Sequence, residues 1–169
     1  MGSYDEGKVE AVKWICANFS CGSTCLDVGA CDGKWSDLLR DYLIMDGLEV
    51  WQPYIIKHKL AAKYRRLFET DIRSFVYRHY DLIIFGDIIE HLPVSDAQKV
   101  IDYAKYHCRN MIVAVPYQYK QGEKHGNPYE VHIQDDLTPE LFDSRYEGFV
   151  PIYQTDVYGY YVLEKDNDG

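Results

Sequence analysis

The sequence predicts an α/β fold, a three-layer sandwich around a mostly parallel, seven-stranded sheet that ends in an antiparallel strand pair. Three observations predict it. Stretches of helical periodicity alternate with short apolar, strand-like runs along most of the 169 residues. The run Tyr80-Asp81-Leu82-Ile83-Ile84-Phe85 is almost continuously apolar, the pattern of a strand buried on both faces. The last two strand-like segments, residues 149–154 and 157–164, are joined by a turn too short for a crossover, so they pair antiparallel.

The elements follow in order. Residues 5–20 form an opening helix with Val9, Val12, Cys16 and Phe19 on one face. Cys25-Leu26-Asp27-Val28 is a short strand that runs into a glycine turn, and Trp35, Leu38, Leu39 and Tyr42 suit the helix after it. A second strand covers residues 43–50, with Asp46-Gly47 leaving its start open. A helix through residues 53–66 carries Pro53 in its first turn, where a missing N–H costs little. Residues 67–70 make a third strand and 72–78 a brief helix. After the buried strand, Ser95 with Gln98 three residues on has the form of a capping box. Val100, Ile101, Ala104 and Cys108 line one face of the helix it starts. Residues 110–115 are a further strand, stopped by Pro116, and Thr138-Pro139 opens the last helix in cap-then-proline order. A single domain is expected, residues 1–169: the helix 5–20, a ligand-binding half 24–116, a loop or lid 117–136, and the last helix and strand pair 137–165. In such a sheet ligands bind at the carboxyl ends of the strands, near a topological switch point.

Composition narrows the function. The chain is 47% hydrophobic and 27% charged, the balance of a globular protein. A formal net charge of -9 speaks against a broad phosphate-binding surface, so no nucleic-acid partner is expected. The local run Lys57, His58, Lys59, Lys63, Arg65, Arg66 reads as a solvated helix face. No apolar run approaches the length of a membrane span and no charged-then-apolar leader opens the chain, so a cytoplasmic protein with no membrane partner is expected. Five cysteines without a disulfide framework read as reduced thiols. Cys16, Cys21 and Cys25 are spaced more widely than a paired Cys-x-x-Cys, and no His follows at knuckle spacing, so structural zinc is not expected.

The loop Leu26-Asp27-Val28-Gly29-Ala30-Cys31-Asp32-Gly33 joins the first strand to the next helix. Gly29 and Gly33 let the backbone turn tightly and approach a ligand. A dinucleotide site would require Gly-x-Gly-x-x-Gly, with glycines where this chain has Cys31 and Lys34. The loop instead resembles the acidic-x-Gly-x-Gly-x-Gly motif of class I (Rossmann-like) S-adenosylmethionine-dependent methyltransferases, small bacterial type, with Cys31 at the middle glycine. The run Phe85-Gly86-Asp87-Ile88-Ile89-Glu90-His91-Leu92 resembles the segment after the fourth strand in the same family. Together they carry the resemblance from residue 26 to 116.

The resemblance implies a Rossmann-like fold, S-adenosylmethionine as cofactor and methyl transfer as activity. It implies that Asp27, Gly29, Ala30, Cys31 and Gly33 shape the site of the amino-acid end, and that Glu49 accepts both ribose hydroxyls. Asp46 is the competing ribose ligand if the strand ends earlier. Asp71 would meet the adenine amino group while the Ile72 backbone reads a ring nitrogen; a helix N-cap is the plainer role for Asp71, and the two can coexist. Asp87 would touch the cofactor or order its loop. Trp51 suits either the adenine edge or ordinary packing.

The acceptor side is less determined. Residues 117–136 are polar and aromatic and follow the fifth strand, a place for a substrate loop. Asn127-Pro128-Tyr129-Glu130-Val131-His132 resembles a segment of small bacterial methyltransferases. A hydroxyl acceptor needs a base; His132 is the first candidate, with Glu130 as its orienter and His91 as second choice. A loop fixing itself by polar contacts is the alternative. A metal-dependent form citing Glu130, His132, Asp135 and Asp136 is set aside, because adjacent loop acids are commonly just solvated. A small-molecule acceptor is expected, and the oligomeric state, monomer or homodimer, stays open. The alternative function is a catalytically silent module that binds the cofactor or a protein partner; convergence of His91, Glu130 and His132 would favour the enzyme.

Overall fold

Strands β1 (Thr24–Val28), β2 (Ile44–Glu49), β3 (Arg66–Glu69), β4 (Tyr80–Gly86), β5 (Cys108–Pro116), β6 (Val150–Gln154) and β7 (Tyr158–Glu164) form one sheet in the order β3-β2-β1-β4-β5-β7-β6. The first five are parallel; β7 runs antiparallel against both β5 and β6. The coordinates are a computed structural model that describes residues 7–164. Residues 5 and 6 of the expected opening helix, residue 165 and the polar tail 166–169 lie outside the described residues.

Period-two alternation builds two cores, one on each face of the sheet. Leu26, Val28, Ile83, Phe85, Met111 and Val113 pack with helices α4 (Val94–Lys105) and α5 (Pro139–Arg145). Cys25, Met45, Leu82, Ile84, Ile112 and Ala114 pack with α1 (Lys8–Asn18), α2 (Lys34–Leu39) and the segment after α3 (Gln52–Lys57). β4 is buried along its length apart from Asp81, as its apolar run predicts.

Several local expectations change. In α1 the buried stripe is Ala11 and Ile15, continued by Phe19, whereas Val9 is 60% exposed and Cys16 faces out. This helix is apolar on more than one side, so periodicity did not select its face. Leu38 is likewise exposed, and Trp35 and Leu39 carry α2. The helix expected through residue 66 stops at Lys57, because Lys59 takes a left-handed conformation (φ 52°) and the chain continues as a 3-10 turn, Leu60–Ala62. The brief helix after β3 is a 3-10 turn, Ile72–Ser74. Ser95 does not cap α4: the helix begins at Val94 with Pro93 before it, and Gln98 donates its Nε2 to the Arg145 carbonyl at 3.0 Å. Cys108 opens β5 rather than closing the helix face. Thr138 does cap α5, its hydroxyl accepting from the Leu141 amide at 3.2 Å.

Candidate functional site

The sheet reverses strand order between β1 and β4, and a cavity of about 910 Å³ opens at that point, along the carboxyl ends of the parallel strands. Val28 and Gly29 after β1, Glu49 at the end of β2, Asp71 after β3, Gly86 and Asp87 at the end of β4, and Tyr117 after β5 all line it.

The β1 loop forms because its backbone needs positive φ at Gly29 (73°), Cys31 (46°) and Gly33 (80°). The amides of Gly29 and Ala30 both donate to the Leu48 carbonyl, at 2.8 and 2.9 Å, which ties the loop to β2. A Cβ on Gly29 would stand 1.9 Å from Ile88 Cδ1, so a side chain here displaces the Ile88 side chain on top of the strain of its positive φ. A Cβ on Gly33 would meet the Lys63 side chain, which itself donates to the Asp32 carbonyl and to Asp37. Gly33 and Asp27 lie behind the loop and are not part of the cavity wall, whereas Gly29, Ala30 and Cys31 are. Asp27 is 1% exposed and accepts the Tyr64 hydroxyl at 2.5 Å. Burial raises its pKa to about 7 against the Tyr64 hydrogen bond, which lowers it. Burial also pushes the Cys31 thiol up to about 12, which keeps it protonated.

Glu49 is 4% exposed, and its carboxylate is held by two backbone donors: the Cys31 amide at 2.8 Å to Oε2 and the Trp51 amide at 2.7 Å to Oε1. A carboxylate offers about four lone-pair sites, more than these donors fill. Burial raises its pKa, and the backbone amides of Trp51, Cys31 and Val50 oppose that rise. Asp46 is not in the wall. It is fully buried, gripped by Arg65 at 2.8 and 2.7 Å and by the Tyr80 hydroxyl at 3.0 Å. β2 thus runs on to Glu49, and Asp46 is structural.

Asp71 caps the 3-10 turn through the Arg73 amide at 2.9 Å and pairs with the Arg73 guanidinium, which holds its carboxyl below the usual range. It and Ile72 line the cavity. Asp87 sits at φ 57° and accepts the Tyr158 hydroxyl, while its amide donates to the Ala114 carbonyl at 3.0 Å. Trp51 is outside the wall and packs on Tyr129, ring centroids 6.2 Å apart.

On the opposite side the loop of residues 117–136 closes over the 3-10 turn Ile89–His91. The amides of Ile133 and Gln134 donate to the Glu90 carbonyl at 2.8 and 2.9 Å, and Gln134 Nε2 donates to the carbonyls of Ile89 and Leu92. His91 Nδ1 lies 3.1 Å from the Val131 carbonyl, and His132 Nδ1 lies 2.7 Å from the Tyr119 carbonyl. The two rings meet edge to face at 4.6 Å. Burial lowers the pKa of His91 to about 4 and lowers that of His132.

His91, Glu130 and His132 therefore share one cavity wall, but Glu130 is not the group that orients His132. It accepts from the Tyr54 hydroxyl at 3.1 Å and from Gln121 Nε2 at 3.0 Å, and the backbone carbonyl of Tyr119 fixes the imidazole. Asp136 pairs with Arg145 at 2.6 Å, away from this cluster. Two wall residues escape a reading of the sequence. Among the described residues, Glu90 is 0% exposed with no other residue hydrogen-bonded to its carboxylate, and the buried Trp35 indole N–H has no partner. An acid inside the apolar run Ile88-Ile89-Glu90-His91-Leu92 was the available signal for the first; Trp35 is indistinguishable from a core residue.

The strand order, with β7 inserted antiparallel between β5 and β6, is that of the Rossmann-like fold of class I methyltransferases. Solved structures agree. A S-adenosylmethionine-dependent methyltransferase from Clostridium acetobutylicum ATCC 824 superposes with a TM-score of 0.71 at 12% identity, over 95% of this chain and 91% of that one. The complex of DhpI with SAM and HEP gives 0.73 at 10% identity, over 95% and 86%. The N-terminal domain of EvdMO1 with SAH bound gives 0.68 at 12%, over 95% and 80%. At these identities the likeness establishes the fold. No family model and no curated protein matches the chain.

Proposed function

We propose that the chain binds S-adenosylmethionine at the carboxyl ends of β1, β2 and β4 and transfers its methyl group to a small-molecule acceptor held under residues 117–136. Glu49 carries this reading. A buried carboxylate fixed by backbone amides at the end of β2, in the cavity wall, suits the neighbouring hydroxyls of a ribose. The unpartnered Trp35 N–H offers a donor to the carboxylate of the amino-acid end. Asp71 and Ile72 stand where the adenine edge would lie, and Asp87 is held by Tyr158 at the mouth of β4. DhpI and EvdMO1, which bind SAM or SAH, share the fold and support the cofactor.

When bound, the cofactor supplies an electrophilic methyl on a sulfonium. The protein's part is to align an acceptor in line with it and to exclude water. Glu90, His91 and His132 form the wall available to that acceptor. The domain layout, with residues 24–116 for the cofactor and 117–136 for the acceptor, and a cytoplasmic setting for the free thiols belong to the same reading. No described helix is long and apolar enough to cross a membrane.

Titration calorimetry with S-adenosylhomocysteine and with NAD tests it. Heat from the first and none from the second is the expected outcome; the reverse, or no heat from either, sinks the reading. A labelled methyl donor offered with a panel of small acceptors separates an enzyme from a silent binder.

A further inference from the structure

Glu90 Oε1 and the Nε2 atoms of His91 and His132 face one another in the acceptor wall. The carbonyls of Val131 and Tyr119 can only accept, so they favour the Nδ1–H tautomer of His91 and His132. A neutral imidazole has one N–H, and in that tautomer Nε2 of each ring keeps its lone pair for a ligand. Both Nε2 atoms approach the same oxygen, Glu90 Oε1, at 3.9 and 4.0 Å. That carboxylate is 0% exposed and accepts no hydrogen bond from any other described residue. Three such atoms crowded in a buried site require a proton or a metal ion among them.

We propose that Glu90, His91 and His132 bind a divalent transition-metal ion on the acceptor side of the cavity. The ligand atoms all lie within 4.8 Å of one another. Around an ion bound at about 2.1 Å, neighbouring ligands stand roughly 3 to 3.5 Å apart, so the cluster must contract by about an ångström. Two imidazoles and one carboxylate suit Mn²⁺, Fe²⁺, Co²⁺ or Zn²⁺, and three protein ligands leave positions open. The surroundings are those of a built site. Each imidazole is oriented by a backbone carbonyl through its other nitrogen, the usual outer-shell arrangement of metal-ligating histidines. The turn bearing Glu90 and His91 is locked to the segment bearing His132 by the Ile133 and Gln134 amides.

A substrate class follows, and this part alone rests on the proposed methyl transfer. An acceptor hydroxyl taking an open position loses its proton to solvent at lower pH than when free. The resulting oxygen forms its bond to the methyl carbon as the carbon–sulfur bond breaks, with that electron pair going to sulfur. The imidazoles are then ligands, and a hydroxyl-bearing acceptor is the expected kind.

The test uses Co²⁺ alone, added to the full chain after treatment with a chelator. One equivalent is expected to bind by calorimetry, with visible absorption bands from nitrogen and oxygen ligation and a higher Tm. Glu90→Gln and His132→Ala are each expected to weaken binding about 100-fold. Failure of the wild type to bind Co²⁺, or binding retained in both variants, overturns the site. S-adenosylhomocysteine titrated into the same samples keeps the two proposals apart. Metal bound without it refutes the proposed function alone, and the converse refutes the metal site alone.

Discussion

Glu49 and Asp46 are two buried acids on one strand with different surroundings. Asp46 has its oxygens filled by Arg65 and Tyr80. Glu49 is held by backbone amides in the cavity wall. Glu49→Gln turns its new amide toward a backbone donor and is expected to weaken S-adenosylhomocysteine binding about tenfold or more by calorimetry, the scale of one hydrogen bond to a charged group. An unchanged affinity removes Glu49 from the cofactor site. Asp27 gives a pH signature. Its unfolded pKa is about 4, and burial raises the folded value to about 7. Between these the folded protein holds a proton that the unfolded chain has released, so stability falls as pH rises through that window. Wild type should lose ground to Asp27→Asn between about pH 5 and about pH 8 in urea denaturation. A constant difference between the two would show that the burial cost is relieved elsewhere.

At the scale of elements, two serine- or threonine-led helix starts look alike in sequence and differ in the fold. Thr138 bonds the Leu141 amide, whereas Ser95 lies inside α4, which starts at Val94 after Pro93. Thr138→Ala should cost about 1 kcal/mol, and Ser95→Ala should stay within about 0.5 kcal/mol, as read from denaturation midpoints. Equal losses would restore the capping box. The capping pattern at Ser95 is outweighed by proline, which sets the entry to α4, and by Gln98 bridging to the carboxyl end of α5 through the Arg145 carbonyl. β4 was legible almost to the residue, because a strand buried on both faces needs an unbroken apolar run. Helix faces were not: in α1 several apolar stripes compete, and only contact with the sheet chose Ala11 and Ile15.

At the scale of the molecule, the cofactor reading predicts a footprint. Hydrogen exchange in the presence of S-adenosylhomocysteine should slow around residues 29–31, 49–51 and 71–73, which come from three separate loops, and leave residues 147–154 at the far edge unchanged. Protection confined to one of these segments would contradict a ligand spanning the switch point. The loop of residues 117–136 belongs to this scale as well, since it brings His132 and Glu130 back over β4 and β5.

By itself the sequence determined the α/β alternation, the glycine loop after β1, the acid at the end of β2 and the antiparallel close of the sheet. Each follows from local causes: period, turn chemistry and the left-handed backbone of a glycine. Tertiary structure alone decided that Asp27 and Gly33 stand behind the cavity, that Glu130 answers to Tyr54 and Gln121, and that Glu90 meets both histidines. The physical reason is that a side chain's partner depends on which distant segment folds against it. The fall of one polar loop across the sheet edge, which no period records, placed His132 beside Glu90.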